Sequence, residues 1–318
     1  MGFMKNAFSN ARNMVLNLPL LKQFQEILYI AHRHIRLMEQ LSARIADIER
    51  TQTRLIVNLS KIMTDEYIDK HLYKNAKYSD PTRLNRFEYQ VYSQNGEDGI
   101  IEEIFNRIGT RNKFFVEFGV ENGLQNNTAY LLTKDWTGCW IEANEAWVKE
   151  IKQKFNSLIQ EKRLLVRQAF ITGENIESLL VEAQVPKEFD LLSIDIDGND
   201  YWVWKAIKSY RPKVVVIEYN PMFRPDAKWI MKYNPEAIWN GTSYYGASLK
   251  SLEMLGLEKG YKLVGCNFLG VNAFFVREDL VEDKFCAPFT AENHYEPARY
   301  HLTRRNGHPR DFGDFTRS

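Results

Sequence analysis

Cysteine is scarce in this sequence, and the few cysteines are far apart. The 318 residues contain only Cys139, Cys266 and Cys286. An odd number of distant cysteines fits neither a disulfide framework nor a cysteine-based zinc site. We therefore expect the protein to work in a reducing compartment, the cytoplasm.

Long apolar runs and a strong net charge are missing as well. No apolar run approaches the about 20 residues that span a bilayer, and the N-terminus lacks the apolar core of a signal peptide. A net charge of +1 excludes the basic surface expected of a dedicated nucleic-acid binder. Residues 1–25 contain three basic residues and no acid, which allows peripheral contact with an inner membrane. Packing against the following helix is the simpler interpretation.

Neither glycine nor proline occurs between Leu20 and Met63, so nothing there stops a helix. Apolar residues recur at alternating spacings of four and three, with one phase slip near Leu41, as in a coiled coil. They are Phe24, Leu28, Ala31, Ile35, Met38, Ile45, Ile48, Leu55, Leu59 and Ile62. We predict a helical, oligomerising region over residues 1–75, with a homo-oligomer formed through residues 20–63. The alternative is a helix that folds back on the domain of residues 76–318.

Beyond residue 90, apolar runs alternate with helical patterns, which predicts a parallel sheet covered by helices on both faces. The last two apolar runs are separated by a short loop, so these two strands must be antiparallel. The predicted strands are 114–118, 139–142, 164–170, 189–198, 214–220, 261–265 and 271–276. The predicted fold class is α/β, with a Rossmann-like, mostly parallel sheet that ends in an antiparallel hairpin.

A glycine loop follows the first predicted strand. Gly119 and Gly123 begin and end this loop, and their lack of a side chain allows the backbone to approach a nucleotide cofactor. The next strand ends in Glu142, about 20 residues later, where a carboxylate can bind ribose hydroxyls. The G-x-x-x-G spacing and the preceding Glu117 favour S-adenosylmethionine over NAD, because a carboxylate attracts a cation and repels a pyrophosphate. A plain strand-to-helix turn is the structural alternative.

Further polar side chains occur where the fourth and fifth strands end, and these ends meet at one edge of a parallel sheet. We hypothesise that they surround an acceptor hydroxyl, either as ligands of Mg2+ or with one carboxylate as general base. The candidate catalytic residues are Asp195, Asp197 and Glu218, and the candidate metal ligands are the same three with Asn220. The alternative is that Asp195 caps a helix and Glu218 pairs with an arginine.

Two motifs resemble those of the FkbM-type S-adenosylmethionine-dependent methyltransferases. They are Glu117-Phe118-Gly119-Val120-Glu121-Asn122-Gly123 and Ile194-Asp195-Ile196-Asp197-Gly198-Asn199-Asp200. The resemblance covers residues 90–280 and implies the class I methyltransferase fold. By this resemblance Glu117, Gly119 and Gly123 hold the methionine part of the cofactor, Glu142 the ribose, and Asp195 the reaction centre. Gln94, Thr128 and Phe170 complete the expected cofactor contacts.

The sequence also departs from this family. Glu121 replaces an asparagine, Asp197 and Asp200 replace glutamates, and Ser193 replaces a lysine. These departures affect the identity of the acceptor more than the class of cofactor.

The segment between Asn220 and Ser248 is rich in aromatic residues and too long for a simple loop. Aromatic faces stack on sugar rings, which favours a glycan acceptor, although aromatic residues also simply pack. The basic tail after Phe289 either holds an anionic acceptor or is solvated; it carries His294, His301, Arg304, Arg305, His308 and Arg310.

The leading hypothesis is an O-methyltransferase for a sugar, glycan or related hydroxyl, acting in surface polysaccharide modification. A nicotinamide-dependent oxidoreductase and an inactive coiled-coil scaffold are the alternatives.

Overall fold

The computed structural model of the chain describes residues 19–302 and 310–313. Contacts divide the chain into two compact units, Met1–Ser60 and Lys61–Ser318. The predicted domain boundary after residue 75 stays a prediction. Most of the segment predicted to contact a membrane lies outside the described residues. None of the described helices is long and apolar enough to cross a bilayer.

A single helix, α1, spans Pro19–Ile68 without a break. Its apolar side chains from Phe24 to Leu59 are exposed to water, among them Ile30, Leu41 and Ile56. The predicted long helix is therefore present, while its assembly into a coiled coil stays a prediction.

The second unit contains a seven-stranded sheet with the order β3-β2-β1-β4-β5-β7-β6. All neighbouring strands are parallel except β7, which is antiparallel to both β5 and β6. The strands are β1 Phe114–Phe118, β2 Thr137–Glu142, β3 Leu164–Gln168, β4 Leu191–Ile194, β5 Val214–Glu218, β6 Tyr261–Cys266 and β7 Asn272–Arg277. The predicted fold class, the class I methyltransferase fold with a long N-terminal helix, is confirmed.

Helices cover both faces of this sheet, and each face has its own apolar layer. The alternation of side chains along β7 shows this, because Phe274 packs in one layer and Phe275 in the other. The helices are α2 Glu97–Ile108, α3 Ala129–Leu132, α4 Glu145–Lys154, α5 Asn156–Gln160, α6 Ile176–Glu182, α7 Asp200–Ala206, α8 Leu249–Glu258 and α9 Ala291–His294.

The polar segment before α2 is bound by a residue of the helix itself. The residue before the helix is Gly96, in a left-handed conformation with no side-chain cap. Asp98 in the first turn instead accepts hydrogen bonds from the backbone N–H groups of Val91, Tyr92 and Ser93. The polar segment is therefore held by an acid inside the helix.

The fourth strand is shorter than predicted and ends at Ile194, so Asp195 and Asp197 both lie in the loop that follows. Asp200 causes this turn, because its carboxylate accepts hydrogen bonds from the N–H groups of Ile196 and Gly198. In this loop both acids can approach the same crevice.

Gly138 in β2 provides a test of the packing between the sheet and its helices. A Cβ atom at this position would lie 2.3 Å from the ring of Phe115. Gly138→Ala should therefore lower the free energy of unfolding by about 1–3 kcal/mol, as overpacking does. Gly313→Ala is the matched control, since its Cβ would meet open space. Equal midpoints of urea unfolding for the two variants would contradict this account.

Candidate functional site

A cavity of about 520 Å³ opens at the carboxyl ends of the parallel strands. It lies where the strand order reverses between β1 and β4, the place where open α/β sheets bind ligands. Eight of the predicted site residues line it: Gln94, Glu117, Gly119, Glu142, Phe170, Asp195, Asp197 and Glu218. Gly123, Thr128 and Asn220 do not line it.

The charged side chains that line this cavity, among the described residues, are all negative. Six carboxylates line it, those of Glu117, Glu121, Glu142, Asp195, Asp197 and Glu218. No lysine, arginine or histidine is among the described residues that line it. Glu121 and Asp197 are exposed, whereas Asp195 and Glu218 are half-buried. Half-buried carboxylates beside further acids are costly, so the cavity favours a ligand that carries positive charge.

Asp195, Asp197 and Glu218 form the centre of this acidic cavity. One carboxylate oxygen from each lies within 4.8 Å of the others. Burial raises the pKa of Asp195 and of Glu218, and repulsion from neighbouring acids raises both further. The Oε2 atom of Glu218 is buried without a hydrogen-bond partner. The arrangement can therefore hold a cation or share a proton.

The alternative roles considered for these acids do not appear in the structure. Asp200, not Asp195, accepts the hydrogen bonds ahead of α7. Glu218 has no salt bridge with an arginine in the part of the chain that the structure describes.

Gly119 brings two loops of the site into contact. Its φ is +70°, and a Cβ atom there would lie 1.7 Å from the carbonyl oxygen of Asp195. Gly119 is thus required by the contact between the β1 and β4 loops, besides lining the cavity.

Gly123 has a different reason to be glycine. Its φ is +78°, and a Cβ atom would lie 2.7 Å from the ring of Trp140 and 2.9 Å from that of Phe155. The structure therefore gives Gly123 a packing role outside the cavity, and contact with the cofactor stays a prediction without support from the geometry.

Glu117 is the acid that holds the glycine loop. Its carboxylate accepts hydrogen bonds from the N–H groups of Asn127 and Thr128 and from the side chains of Asn126, Thr128 and Ser193. Burial raises its pKa to about 7, although these donors act to lower it. Thr128 also accepts a hydrogen bond from Trp140 Nε1. Its hydroxyl is therefore occupied inside the protein.

Glu142 orders the second side of the cavity. Its two oxygens accept hydrogen bonds from the N–H groups of Glu121 and Asn144, at 2.9 and 2.8 Å. Each carboxylate oxygen keeps a further lone pair, so Glu142 can still accept hydrogen bonds from a ligand.

The predicted site residues do not include the asparagines of the cavity wall, among them Asn126, Asn199 and Asn272. The Oδ1 atom of each of these three is buried without a hydrogen-bond partner. Asn199 lies in the second motif, and Asn126 follows the first motif closely. The two motifs could therefore have indicated both asparagines as site residues. Asn272 begins β7 and reaches the cavity only through the antiparallel return of the chain, so nothing local in the sequence marks it.

Asn220 does not have the arrangement of a metal ligand. Its Nδ2 group donates to the carbonyl oxygens of Ser243 and Tyr245, and its Oδ1 atom accepts from the N–H group of Met222. Because both N–H donors of the amide are used and Oδ1 already accepts one hydrogen bond, Asn220 anchors both ends of the segment of residues 221–247, here called the aromatic loop. Its role as a metal ligand stays a prediction without support from these contacts.

The aromatic loop encloses a second cavity of about 770 Å³. Tyr233, Trp239 and Tyr244 supply its aromatic faces, and Asn234 and Asn240 supply polar groups. Asp197 and Trp239 line both cavities. A molecule in the second cavity can therefore meet the acidic centre at Asp197.

The basic tail is partly packed into the domain. His294 is buried, and this burial together with Arg83 lowers its pKa to about 3. Arg310 donates hydrogen bonds to the carbonyl oxygens of Tyr92 and Leu124. These two residues are neither solvated nor arranged around an anion, while residues 303–309 lie outside the described part of the chain.

No protein-family model matches the sequence, and no curated protein matches it. Membership of the FkbM-type family therefore stays a prediction.

Solved structures do resemble the fold. A candidate caffeoyl-CoA O-methyltransferase from Staphylococcus aureus is 14% identical, with 68% of this chain and 99% of that chain covered and a TM-score of 0.41. The N-terminal domain of EvdMO1 with SAH bound is 11% identical, with 60% and 81% covered and a TM-score of 0.37. The pyocyanin biosynthetic protein PhzM is 13% identical, with 56% of this chain and 54% of that chain covered and a TM-score of 0.35. The match to PhzM thus spans about half the length of that protein.

The anchoring of the aromatic loop by Asn220 can be tested by limited proteolysis. Asn220→Ala removes three hydrogen bonds, each worth about 1 kcal/mol, and should raise the rate of tryptic cleavage at the exposed Lys228 and Lys232 by at least about fivefold. Asn240→Ala, which removes only hydrogen bonds to Thr242 within the loop, is the control and should change the rate little. Indistinguishable rates for wild type and Asn220→Ala would refute the anchoring role.

Proposed function

We propose that this protein is an S-adenosylmethionine-dependent O-methyltransferase that acts on a hydroxyl of a sugar, glycan or related small molecule. The observation that carries the proposal is the cavity at the strand-order reversal, lined by six carboxylates and by no cationic side chain of the described residues. The proposed setting is the cytoplasm, in surface polysaccharide modification, with at most peripheral contact with the inner membrane.

The acidic wall discriminates between the two cofactors considered. A nicotinamide dinucleotide carries a pyrophosphate, which is bound by N–H donors and cations and repelled by carboxylates. S-adenosylmethionine carries a sulfonium and an ammonium group, which the acids of this cavity attract. The cavity therefore fits the methionine part of this cofactor and disfavours the oxidoreductase alternative.

The rest of the cavity suits a nucleoside. Phe170 is half-exposed on the wall, where its ring can stack on adenine. Glu142 is fixed by two backbone N–H groups and keeps lone pairs for the ribose hydroxyls. Gly119 keeps the floor between them free of a side chain.

The acidic centre also fits Mg2+. Its donors are all oxygens, as hard cations require, and the unpartnered Oε2 atom of Glu218 has no other use in the described structure. Asp195, Asp197 and Glu218 would hold the ion, which lowers the pKa of a bound hydroxyl. Without an ion, the same carboxylates with raised pKa values can accept the proton of the acceptor as general base.

In the proposed reaction, the bound cofactor supplies an electrophilic methyl group. Asp197 faces both cavities, so it can orient the acceptor hydroxyl toward the cofactor cavity. Proximity of this kind accounts for much of the rate enhancement in bimolecular transfer.

The second cavity supports a sugar as the acceptor. Trp239 and Tyr244 expose ring faces there, and Asn234 and Asn240 lie beside them. Flat apolar rings with polar groups at their rim match the apolar faces and equatorial hydroxyls of a saccharide.

The cofactor class can be tested by calorimetric titration with S-adenosylmethionine and, separately, with NADH. We expect micromolar binding of S-adenosylmethionine alone. Phe170→Ala should weaken it by about tenfold, since stacking on a base is worth about 1–3 kcal/mol. The control is Tyr89→Ala, which removes a more exposed aromatic ring outside both cavities. Binding of NADH alone would instead support the oxidoreductase, and binding of neither would support the scaffold.

The acidic centre can be tested by methyl transfer from labelled S-adenosylmethionine to a panel of saccharides and sugar nucleotides, with Mg2+ or with EDTA. Asp197→Asn should abolish turnover while the affinity for S-adenosylmethionine stays within a few-fold. Asparagine tolerates the φ of +56° at this position, so the change removes charge and keeps the backbone. Asp226→Asn, an exposed aspartate paired with Arg224, is the control. Full turnover by Asp197→Asn would exclude Asp197 from the mechanism.

A further inference from the structure

The long helix α1 exposes an apolar face that the function proposed above does not use. Because α1 is continuous through Leu41, a heptad seam along it needs no phase slip. One frame runs without interruption, with Phe24 at position a and Ile27 at position d. Its core positions are Phe24, Ile27, Ala31, His34, Met38, Leu41, Ile45, Ile48, Gln52, Leu55, Leu59 and Ile62.

This frame is an alternative to the one with a phase slip near Leu41, and it places His34 and Gln52 at core positions. Leu28 and Ile35 occupy e positions beside this seam. The outer positions b, c and f are polar or small throughout, except for Tyr29 and Val57. All of the core side chains are exposed in the single chain. An apolar stripe of this length has the pattern of a coiled-coil seam.

The residues beside the seam indicate which partner fits it. In a parallel, in-register coiled coil, a residue at g faces the residue at e of the neighbouring helix, five positions further along. This rule places Arg44 opposite Glu49 of a second copy, and Ile30 opposite Ile35. The other pairs of this frame are Leu37–Ser42, Thr51–Ile56 and Asn58–Met63. None of the pairs brings like charges together, so no charge repulsion opposes this orientation.

We propose that residues 24–62 form a parallel, in-register homo-oligomer of three or four chains. The number follows from the core. Ile45 and Ile48 place isoleucine at both a and d, and Leu59 with Ile62 places leucine at a and isoleucine at d; both patterns favour more than two strands. The proposal is independent of the reaction, because it uses no residue of either cavity.

The mass of the full chain in solution tests the assembly. Sedimentation equilibrium should give about three or four times the 37.4 kDa of one chain. Ile48→Asp, at a d position, should reduce this to one chain. Val57→Asp is the matched control at an outer f position, since Val57 is 52% exposed and Ile48 is 56% exposed in the single chain. A monomeric wild type, or dissociation by both variants alike, would overturn the proposal.

Cross-linking tests the orientation without disrupting the helix. Leu55→Cys, at a d position, brings identical cysteines together only if the chains are parallel and in register, so mild oxidation should link the chains. Val57→Cys should remain unlinked, and the three native cysteines are buried. Equal cross-linking of both variants, or of neither, would overturn the parallel arrangement even if the chain is oligomeric.

Discussion

The repulsion among carboxylates at one crevice is the constraint on which the rest of the site depends. Charges of one sign are costly to gather away from water, and burial raises the pKa of Asp195, Asp197 and Glu218. Hydrogen-bond donors of the surrounding structure bind other acids: Glu117 accepts five hydrogen bonds, and Asp200 accepts two. The three central carboxylates are left for a ligand. A folded protein keeps such an arrangement where a bound cation or a transferred proton offsets it.

The neighbouring backbone is arranged around the same centre. The β1 and β4 loops touch where Gly119 meets the carbonyl group of Asp195, so a side chain at position 119 would separate the glycine loop from the acids. Glu121 and Asp197 adopt left-handed conformations that are uncommon for residues with a side chain. Conformations of this kind persist where the surrounding hydrogen bonds enforce them, and they gather at functional sites. Here Glu142 binds the N–H group of Glu121, and Asp200 binds the N–H groups of Ile196 and Gly198 on either side of Asp197.

The fold was predictable from the sequence, because buried strands and amphipathic helices leave periodic patterns. The convergence of Glu117, Glu142, Asp195, Asp197 and Glu218 followed from a general rule, since the carboxyl ends of parallel strands meet at one edge. Asn220 shows the limit of this rule. It also follows a strand, yet its amide is used by Ser243 and Tyr245, more than twenty residues away. Gly123 shows another limit, because a glycine required by the rings of Trp140 and Phe155 looks the same in a sequence as one required by a ligand. In both cases the contacts join residues that are distant along the chain.

Asp197 combines requirements that few residues can meet. Its backbone needs a φ of +56°, which asparagine, aspartate and glycine tolerate better than other residues. Its carboxylate belongs to the acidic centre, which excludes glycine and asparagine if charge is needed. It also lines the cavity under the aromatic loop. Of the three central acids, it is the one that lines both cavities, because Asp195 and Glu218 line only the first. A glutamate would carry the charge but would fit the left-handed backbone less well. Aspartate therefore meets both requirements of this position.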